Sequence, residues 1–326
     1  MDLQKLLAPI KDDMHAVDRV IGERLQSEVL LINQIGAHII AAGGKRMRPA
    51  LVLLTAGALS RDAASASDQA RLLAAVIELI HTATLLHDDV VDESGRRRGL
   101  QTANAVWGNA GAVLSGDFLY SRSFQMMVDA GRSEVMRTMA DATNAIAEGE
   151  VLQLMNCGDP QVSEERYLRV IELKTARLFE AAARLGAIAA DADAAAQARM
   201  ARYGHHLGMA FQMVDDLLDY TADPAASGKN LGTDLAEGKP TLPLIHAMKQ
   251  ADAAGKSMIE KAILDGELQQ LDAVLDVIES TGAIPYTAAL AEHHASLARQ
   301  IADDLPASSY RQSLRDLCEF AVQRAH

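Results

Sequence analysis

Ala83-Thr84-Leu85-Leu86-His87-Asp88-Asp89-Val90-Val91-Asp92 closes a run, residues 72–87, that is apolar nearly all round. Phe211-Gln212-Met213-Val214-Asp215-Asp216-Leu217-Leu218-Asp219-Tyr220 does the same for residues 207–218. A helix without a polar face belongs in the middle of a bundle, not on its surface. Two such helices, each ending in Asp-Asp-x-x-Asp, predict a helical bundle with acidic groups at its heart.

The rest of the chain agrees. Helical periodicity predicts helices near 2–25, 27–41, 46–60, 66–92, 112–130, 133–156, 163–190, 194–222, 240–251, 256–264, 267–280, 283–303 and 306–325. Turn signals at Gly43-Gly44, Asp159-Pro160, Pro224 and Gly282 separate them. Aromatic residues are only 4% while Ala, Leu and Met abound, which favours helix over sheet. No linker or repeat divides the chain, so residues 1–326 read as one all-α domain.

Composition also excludes functions. Forty-four acids against 31 bases give a net charge of −13, which argues against nucleic-acid binding. Cys157 and Cys318 have no metal or redox spacing; they allow one disulfide, but read first as reduced thiols of a cytoplasmic protein. The N-terminus lacks a signal-peptide pattern, and no stretch approaches the roughly 20 apolar residues of a membrane span.

Within each acidic motif the carboxylates stand at i, i+1 and i+4, so helical spacing predicts a shared face. One copy alone reads as a solvated helix end. Two copies, each emerging from a buried helix, would bury six carboxylates, and a folded chain needs cations to compensate them. Mg²⁺ suits the role, because it takes one or two carboxylates and fills its octahedron with water and phosphate oxygens. His81 and Thr84 lie on the stripe of Asp88, and Gly208 and Gln212 on that of Asp215.

Basic segments flank both motifs. Gly43-Gly44-Lys45-Arg46-Met47-Arg48-Pro49 precedes a helix, a context that exposes backbone N–H groups to phosphate, and Lys45 and Arg48 add charge. Arg96-Arg97-Arg98 follows the first motif. Lys174-Thr175 interrupts an apolar helix, where the lysine is either paired or snorkelling. Lys229 and Lys239 sit in the Gly-rich segment after the second motif, a candidate lid over residues 223–240. Each segment alone also reads as an ordinary loop; their placement beside the acids gives them weight.

Five stretches in order, IHTATLLHDDVVDESGRRRG (80–99), AEGEVLQLMN (147–156), KTARLFEAAA (174–183), FQMVDDLLDY (211–220) and GKNLGTDLAEGKPTLPLIHAM (228–248), resemble the trans-prenyltransferases. These are all-helical isoprenyl diphosphate synthases, and the likeness runs over essentially the whole chain, closest to the bacterial octaprenyl diphosphate synthase group. The resemblance implies one large helical bundle of the isoprenoid synthase type around a central cavity. It implies that Asp88, Asp89, Asp92, Asp215, Asp216 and Asp219 bind three Mg²⁺ ions, with Mn²⁺ as a substitute. Arg97, Lys174, Thr175, Gln212, Lys229 and Lys239 would then contact an allylic diphosphate, and Lys45, Arg48, His81 and Arg98 an isopentenyl diphosphate. Asp88, Asp89, Asp92, Lys174, Asp215 and Lys229 form the implied catalytic set. Glu150 and Gln153 stand where many short-chain relatives carry Gln and Asp, and are left outside the site.

The family places bulky aromatics four or five residues before the first aspartate when products are short. Ala83 and Thr84 occupy those positions here, implying an open tunnel, with Ile80, Ile77, Phe124, Met126 and Met127 as its deeper wall or as plain core. The expectation is a long-chain synthase primed by farnesyl diphosphate, with an octaprenyl product for quinone side chains and nona- or decaprenyl as the alternative. A homodimer and a loose membrane association through the lipid product are further implications. The rivals are a shorter-chain synthase, a terpene cyclase and a non-catalytic subunit of a two-component synthase.

Overall fold

The computed structural model describes residues 3–41, 43–60, 67–97, 99–222, 231–266 and 270–323. Its helices are α1 (Leu3–Leu6), α2 (Lys11–Arg24), α3 (Leu30–Ala41), α4 (Met47–Leu59), α5 (Asp68–Val91), α6 (Ala103–Asp129), α7 (Ser133–Asn156) and α8 (Glu164–Ile171). They continue with α9 (Arg177–Ala189), α10 (Ala194–Thr221), α11 (Thr233–Ala236), α12 (Leu242–Gln250), α13 (Ala253–Asp265), α14 (Leu271–Ser280), α15 (Ala283–Asp303) and α16 (Ser309–Gln323). The fold is all-α. The one sheet among the described residues is a two-stranded hairpin, β1 (Arg96–Arg97) with β2 (Leu100–Gln101), between α5 and α6.

The two motif helices are central for the reason their sequences suggest. α5 opens at Ser67, whose Oγ accepts from the Ala70 N–H at 3.2 Å, and α10 at Asp193, whose carboxylate accepts from the Ala196 N–H at 2.8 Å. Such caps satisfy N–H groups that the first helical turn leaves unpaired. Beyond them Leu73, Val76, Ile77, Leu79 and Ile80 of α5 are buried, as are Tyr203, Leu207 and Met213 of α10. α5 packs against α4, α6 and α9, and α10 against α9, α15 and α16. By length and composition α5 could cross a membrane, which corrects the reading that no segment comes close, but most of it is covered by other helices.

Three boundaries differ from expectation. The helix expected over 2–25 is broken into α1, a 3₁₀ turn at Ala8–Ile10 and α2, because Pro9 has no N–H to continue an α-helical ladder. α6 starts at Ala103 rather than 112, bending at Gly108, whose φ of 78° hides the helical period on either side. The helix expected over 163–190 is divided by a π-helical turn, Glu172–Ala176. That turn widens the helix at Lys174-Thr175, and π turns recur where function needs a local departure from the ladder.

Candidate active site

The first motif divides at the end of α5. Asp89 is 4% exposed and accepts from Arg97 Nε at 2.7 Å. The β1–β2 hairpin delivers that arginine, anchored where Asn104 Nδ2 donates to the Asp89 carbonyl at 3.0 Å. Burial raises the Asp89 carboxyl above its usual range, Arg97 opposes this, and Asp88 and Asp92 add to it. Asp88 and Asp92 meet other partners: Lys174 Nζ is 3.7 Å from Asp88 Oδ2, and Lys239 Nζ donates to Asp92 Oδ1 at 3.0 Å. The three carboxylates therefore do not share a face. A one-residue step on a helix turns a side chain by about 100°, enough to send Asp89 to the hairpin.

The second motif lies across a cavity of about 140 Å³ lined by Lys174, Thr175, Gln212, Asp216 and Lys239. Asp216, 4% exposed, accepts from the Tyr167 hydroxyl at 2.6 Å and from Gln212 Nε2 at 2.7 Å, while Thr175 Oγ1 donates to Gln212 Oε1 at 2.8 Å. Burial pushes Asp216 up to about 7 despite these two donors, and Asp215 and Asp219 push the same way. Asp219 faces the segment after the motif, accepting from the Thr233 and Asp234 N–H groups at 3.1 and 2.9 Å and so capping α11. Asp215 is partly exposed beside it.

Lys174 and Lys239 join the two halves. Burial would lower Lys174, yet Asp88 and Glu150 hold it above the ordinary lysine value, and its Nζ donates to Glu150 Oε2 at 2.7 Å. Burial also opposes charge on Lys239, but Glu237 and Asp92 more than restore it, with Nζ to Glu237 Oε2 at 2.5 Å. Both ammonium groups line the cavity of Asp216 while reaching to the first motif. The expectation of six buried carboxylates is corrected: only Asp89 and Asp216 are buried, and side-chain cations neutralise much of the first motif.

A third cluster forms at the start of α4. Arg46 occupies the left-handed region at φ 50° and is spent on Glu78 at 3.1 Å and Asp18 at 3.6 Å. Arg48, two residues further, instead meets His81 Nε2 at 3.0 Å and stacks its guanidinium 4.5 Å from the Phe179 ring. Lys45 Nζ stands 5.8 Å from the Phe320 ring. The structure thus brings Arg48 and His81 together. Arg98 and Lys229, and residues 223–230 of the candidate lid, lie outside the described residues.

Ala83, Ile80, Ile77, Met126 and Met127 are buried, and Thr84 is partly exposed with its Oγ1 donating to the His81 carbonyl at 2.8 Å. Phe124 is tilted against Tyr120, ring centroids 5.5 Å apart. Sequence reasoning missed Glu150, Tyr167, Asp234 and Glu237. Glu150 had a signal, an acid one turn from a second polar residue, Gln153, within the family stretch AEGEVLQLMN. Tyr167 had none, since its partner is 49 residues away.

The donor set fits divalent cations. Among the described residues no three His, Cys, Asp or Glu side chains already converge on one point. Yet a carboxylate pushed up to about 7 by burial and by neighbouring carboxylates is a group that a hard cation would return to its ionised form. Asp216 lines the cavity, and Asp88 and Asp92 reach it through Lys174 and Lys239.

Comparison with known proteins gives a consistent result. A family model described as polyprenyl synthetase matches residues 29–280. An octaprenyl diphosphate synthase of Escherichia coli (strain K12) is 48% identical over 325 residues, covering 99% of each chain. An all-trans-nonaprenyl-diphosphate synthase (geranyl-diphosphate specific) of Rhodobacter capsulatus is 44% identical over 321 residues, covering 98% of each. A crystal structure of a polyprenyl synthase from Caulobacter crescentus CB15, complexed with calcium and isoprenyl diphosphate, superposes with a TM-score of 0.94 at 41% identity, covering 100% of this chain and 98% of that one.

Proposed function

The chain belongs to the polyprenyl synthetase family, and from that premise we propose that it is a long-chain all-trans polyprenyl diphosphate synthase. It condenses farnesyl diphosphate, the proposed allylic primer, with successive isopentenyl diphosphates to an octaprenyl product destined for quinone side chains. The observation that carries the reading is that Lys174 and Lys239 share the Asp216 cavity and each reaches an aspartate of the first motif. Octaprenyl and nonaprenyl synthases among its relatives support the long product.

The residues divide the chemistry. Lys174, Lys239 and Arg97 face the allylic diphosphate and neutralise it as its C–O bond breaks. The Thr175–Gln212–Asp216 chain of hydrogen bonds holds Asp216 in place. Arg48, His81 and Lys45 receive the isopentenyl diphosphate, whose double bond attacks the allylic cation, and the released diphosphate then takes the proton that restores a double bond. Mg²⁺, three ions in this proposal and replaceable by Mn²⁺, would supply charge stabilisation for the leaving diphosphate when bound. Asp88, Asp92, Asp215, Asp216 and Asp219 are its proposed ligands, and the bond to Arg97 makes Asp89 a positioning group as much as a ligand. The calcium and isoprenyl diphosphate of the Caulobacter structure support a divalent-cation diphosphate site.

We further propose a homodimer in the cytoplasm, loosely membrane-associated through its lipid product. Exposed Val113 and Leu114 on α6 with Val151 and Leu154 on α7 provide an apolar surface for a second copy. The decisive test is incubation with farnesyl and isopentenyl diphosphates and Mg²⁺, followed by sizing of the product. An octaprenyl chain and loss of turnover in Asp88→Ala are expected. A product that stops at geranylgeranyl makes it a shorter-chain synthase, and absence of diphosphate release makes it a non-catalytic subunit.

A further inference from the structure

Four histidines meet away from this site, where α10 packs along α15. His205 and His206 lie on α10, and His293 and His294 on α15. His206 Nδ1 is 3.1 Å from His294 Nδ1, with ring centroids 5.3 Å apart and planes at 50°. His205 stacks edge-on to His206 at 5.3 Å, and His293 edge-on to His294 at 5.9 Å. None of the four touches the aspartate cavity or takes part in the chemistry above.

The geometry points to a binding site for a borderline divalent transition metal, such as Zn²⁺, Co²⁺ or Ni²⁺, held by His206 and His294. Two imidazole nitrogens bound to one ion at about 2.1 Å stand about 3.0 Å apart in octahedral and about 3.4 Å apart in tetrahedral coordination. The observed 3.1 Å lies between these values. Without metal, one ring must carry its proton on Nδ1 to bond the other. Moving that proton to Nε2 leaves two Nδ1 acceptors 3.1 Å apart, with no proton released. Burial and the neighbouring His205, His293 and Arg202 push His206 down to about 4, and burial with the other histidines does the same for His294. Both imidazoles are therefore neutral at physiological pH, the form that binds metal.

Nitrogen donors select such ions over Mg²⁺, which prefers oxygen. Among the described residues no third His, Cys, Asp or Glu already reaches the point. His293 is exposed and adjacent, its ring 5.9 Å from that of His294, and His205 is engaged by Glu180 at 3.8 Å. Water completes the shell. A bound ion ties α15 to the helix that carries the second aspartate motif, so it stabilises their packing by mass action.

The test is a titration of Co²⁺ into untagged full-length protein at neutral pH with Mg²⁺ in large excess, followed by its visible spectrum and by thermal unfolding. One equivalent with an imidazole-type spectrum, displaced by Zn²⁺, is expected. His206→Asn and His294→Asn should each weaken it by roughly tenfold or more, while Asp88→Asn leaves it unchanged. Loss of the signal in Asp88→Asn but not in His206→Asn assigns the ion to the aspartate site and overturns the proposal. Should the histidine variants fail to fold, X-ray absorption of the Co²⁺-loaded wild type decides: fewer than two imidazole ligands also overturns it.

Discussion

The Lys239 ammonium donates to Asp92 Oδ1 at 3.0 Å across 147 residues of sequence. This bond ties the segment after the second aspartate motif to the end of the first. It leaves a cation poised between carboxylates and the space where a diphosphate would lie. Lys239→Met keeps the stem and removes the charge. Steady-state diphosphate release should show kcat/KM reduced on the order of 10²-fold, the scale of losing one preorganised charge-stabilising group. Lys239→Arg should restore part of it. Equal kinetics in Met and wild type would make Lys239 a structural tether only.

Glu150 gives a pH signature. Burial holds its carboxyl up to about 7, opposed by Lys174 and aided by Asp88, whereas the unfolded chain releases the proton near 4.5. Between these values the folded state binds more protons, so Glu150 contributes stability at low pH that is lost as pH rises through 7. Glu150→Gln keeps an acceptor for Lys174 Nζ and removes the titration. Urea unfolding in chelator at a series of pH values should show the variant gaining on the wild type from pH 4.5 to 7. A constant difference across that window would mean that Glu150 is already ionised.

Gly208 tests the π turn. A Cβ there would stand 2.7 Å from the Ala176 Cα, a backbone atom that cannot move without shifting Lys174 and Thr175. Gly208→Ala should cost about 1–3 kcal/mol, as overpacking does, and should lower kcat beyond what the lost stability explains. Gly22 in α2 has nothing within 4 Å of such an atom. Gly22→Ala should leave turnover intact and raise stability by up to about 1 kcal/mol through helix propensity.

These positions mark what the sequence could and could not tell. The all-α bundle and the helices bearing the aspartates followed from unbroken apolar runs, a signal carried within each helix. Family motifs singled out Arg48, His81 and Lys174 as substrate contacts, and the structure gives Arg48 and His81 each other as partners and Lys174 the carboxylates of Asp88 and Glu150. What stayed hidden was set by rotation and by long-range partners. Spacing grouped Asp89 with Asp88 and Asp92, and only the hairpin that carries Arg97 shows which way it turns. Tyr167 and Asp216, or Glu237 and Lys239 with Asp92, are meetings of elements that no local pattern encodes. The π turn was equally invisible, because its residues keep a helical polarity pattern.

Thr84 bears on product length. Ala83, one residue earlier, has no exposed surface, so a large side chain there would overpack the core and confuse a tunnel effect with misfolding. Thr84 is partly exposed, and among the described residues its hydroxyl bonds only to the His81 carbonyl of its own helix, a contact that can be lost at little cost. It also lies one turn before Asp88, on the stripe that leads from the first motif along α5. Thr84→Phe should therefore fold with stability close to wild type and still turn over farnesyl and isopentenyl diphosphates. A ring at this position should stop the growing chain early, so chromatographic sizing should show products shortened towards geranylgeranyl. If the variant is active and still makes the wild-type product, the chain does not grow past Thr84, and the wall of the tunnel lies on another helix.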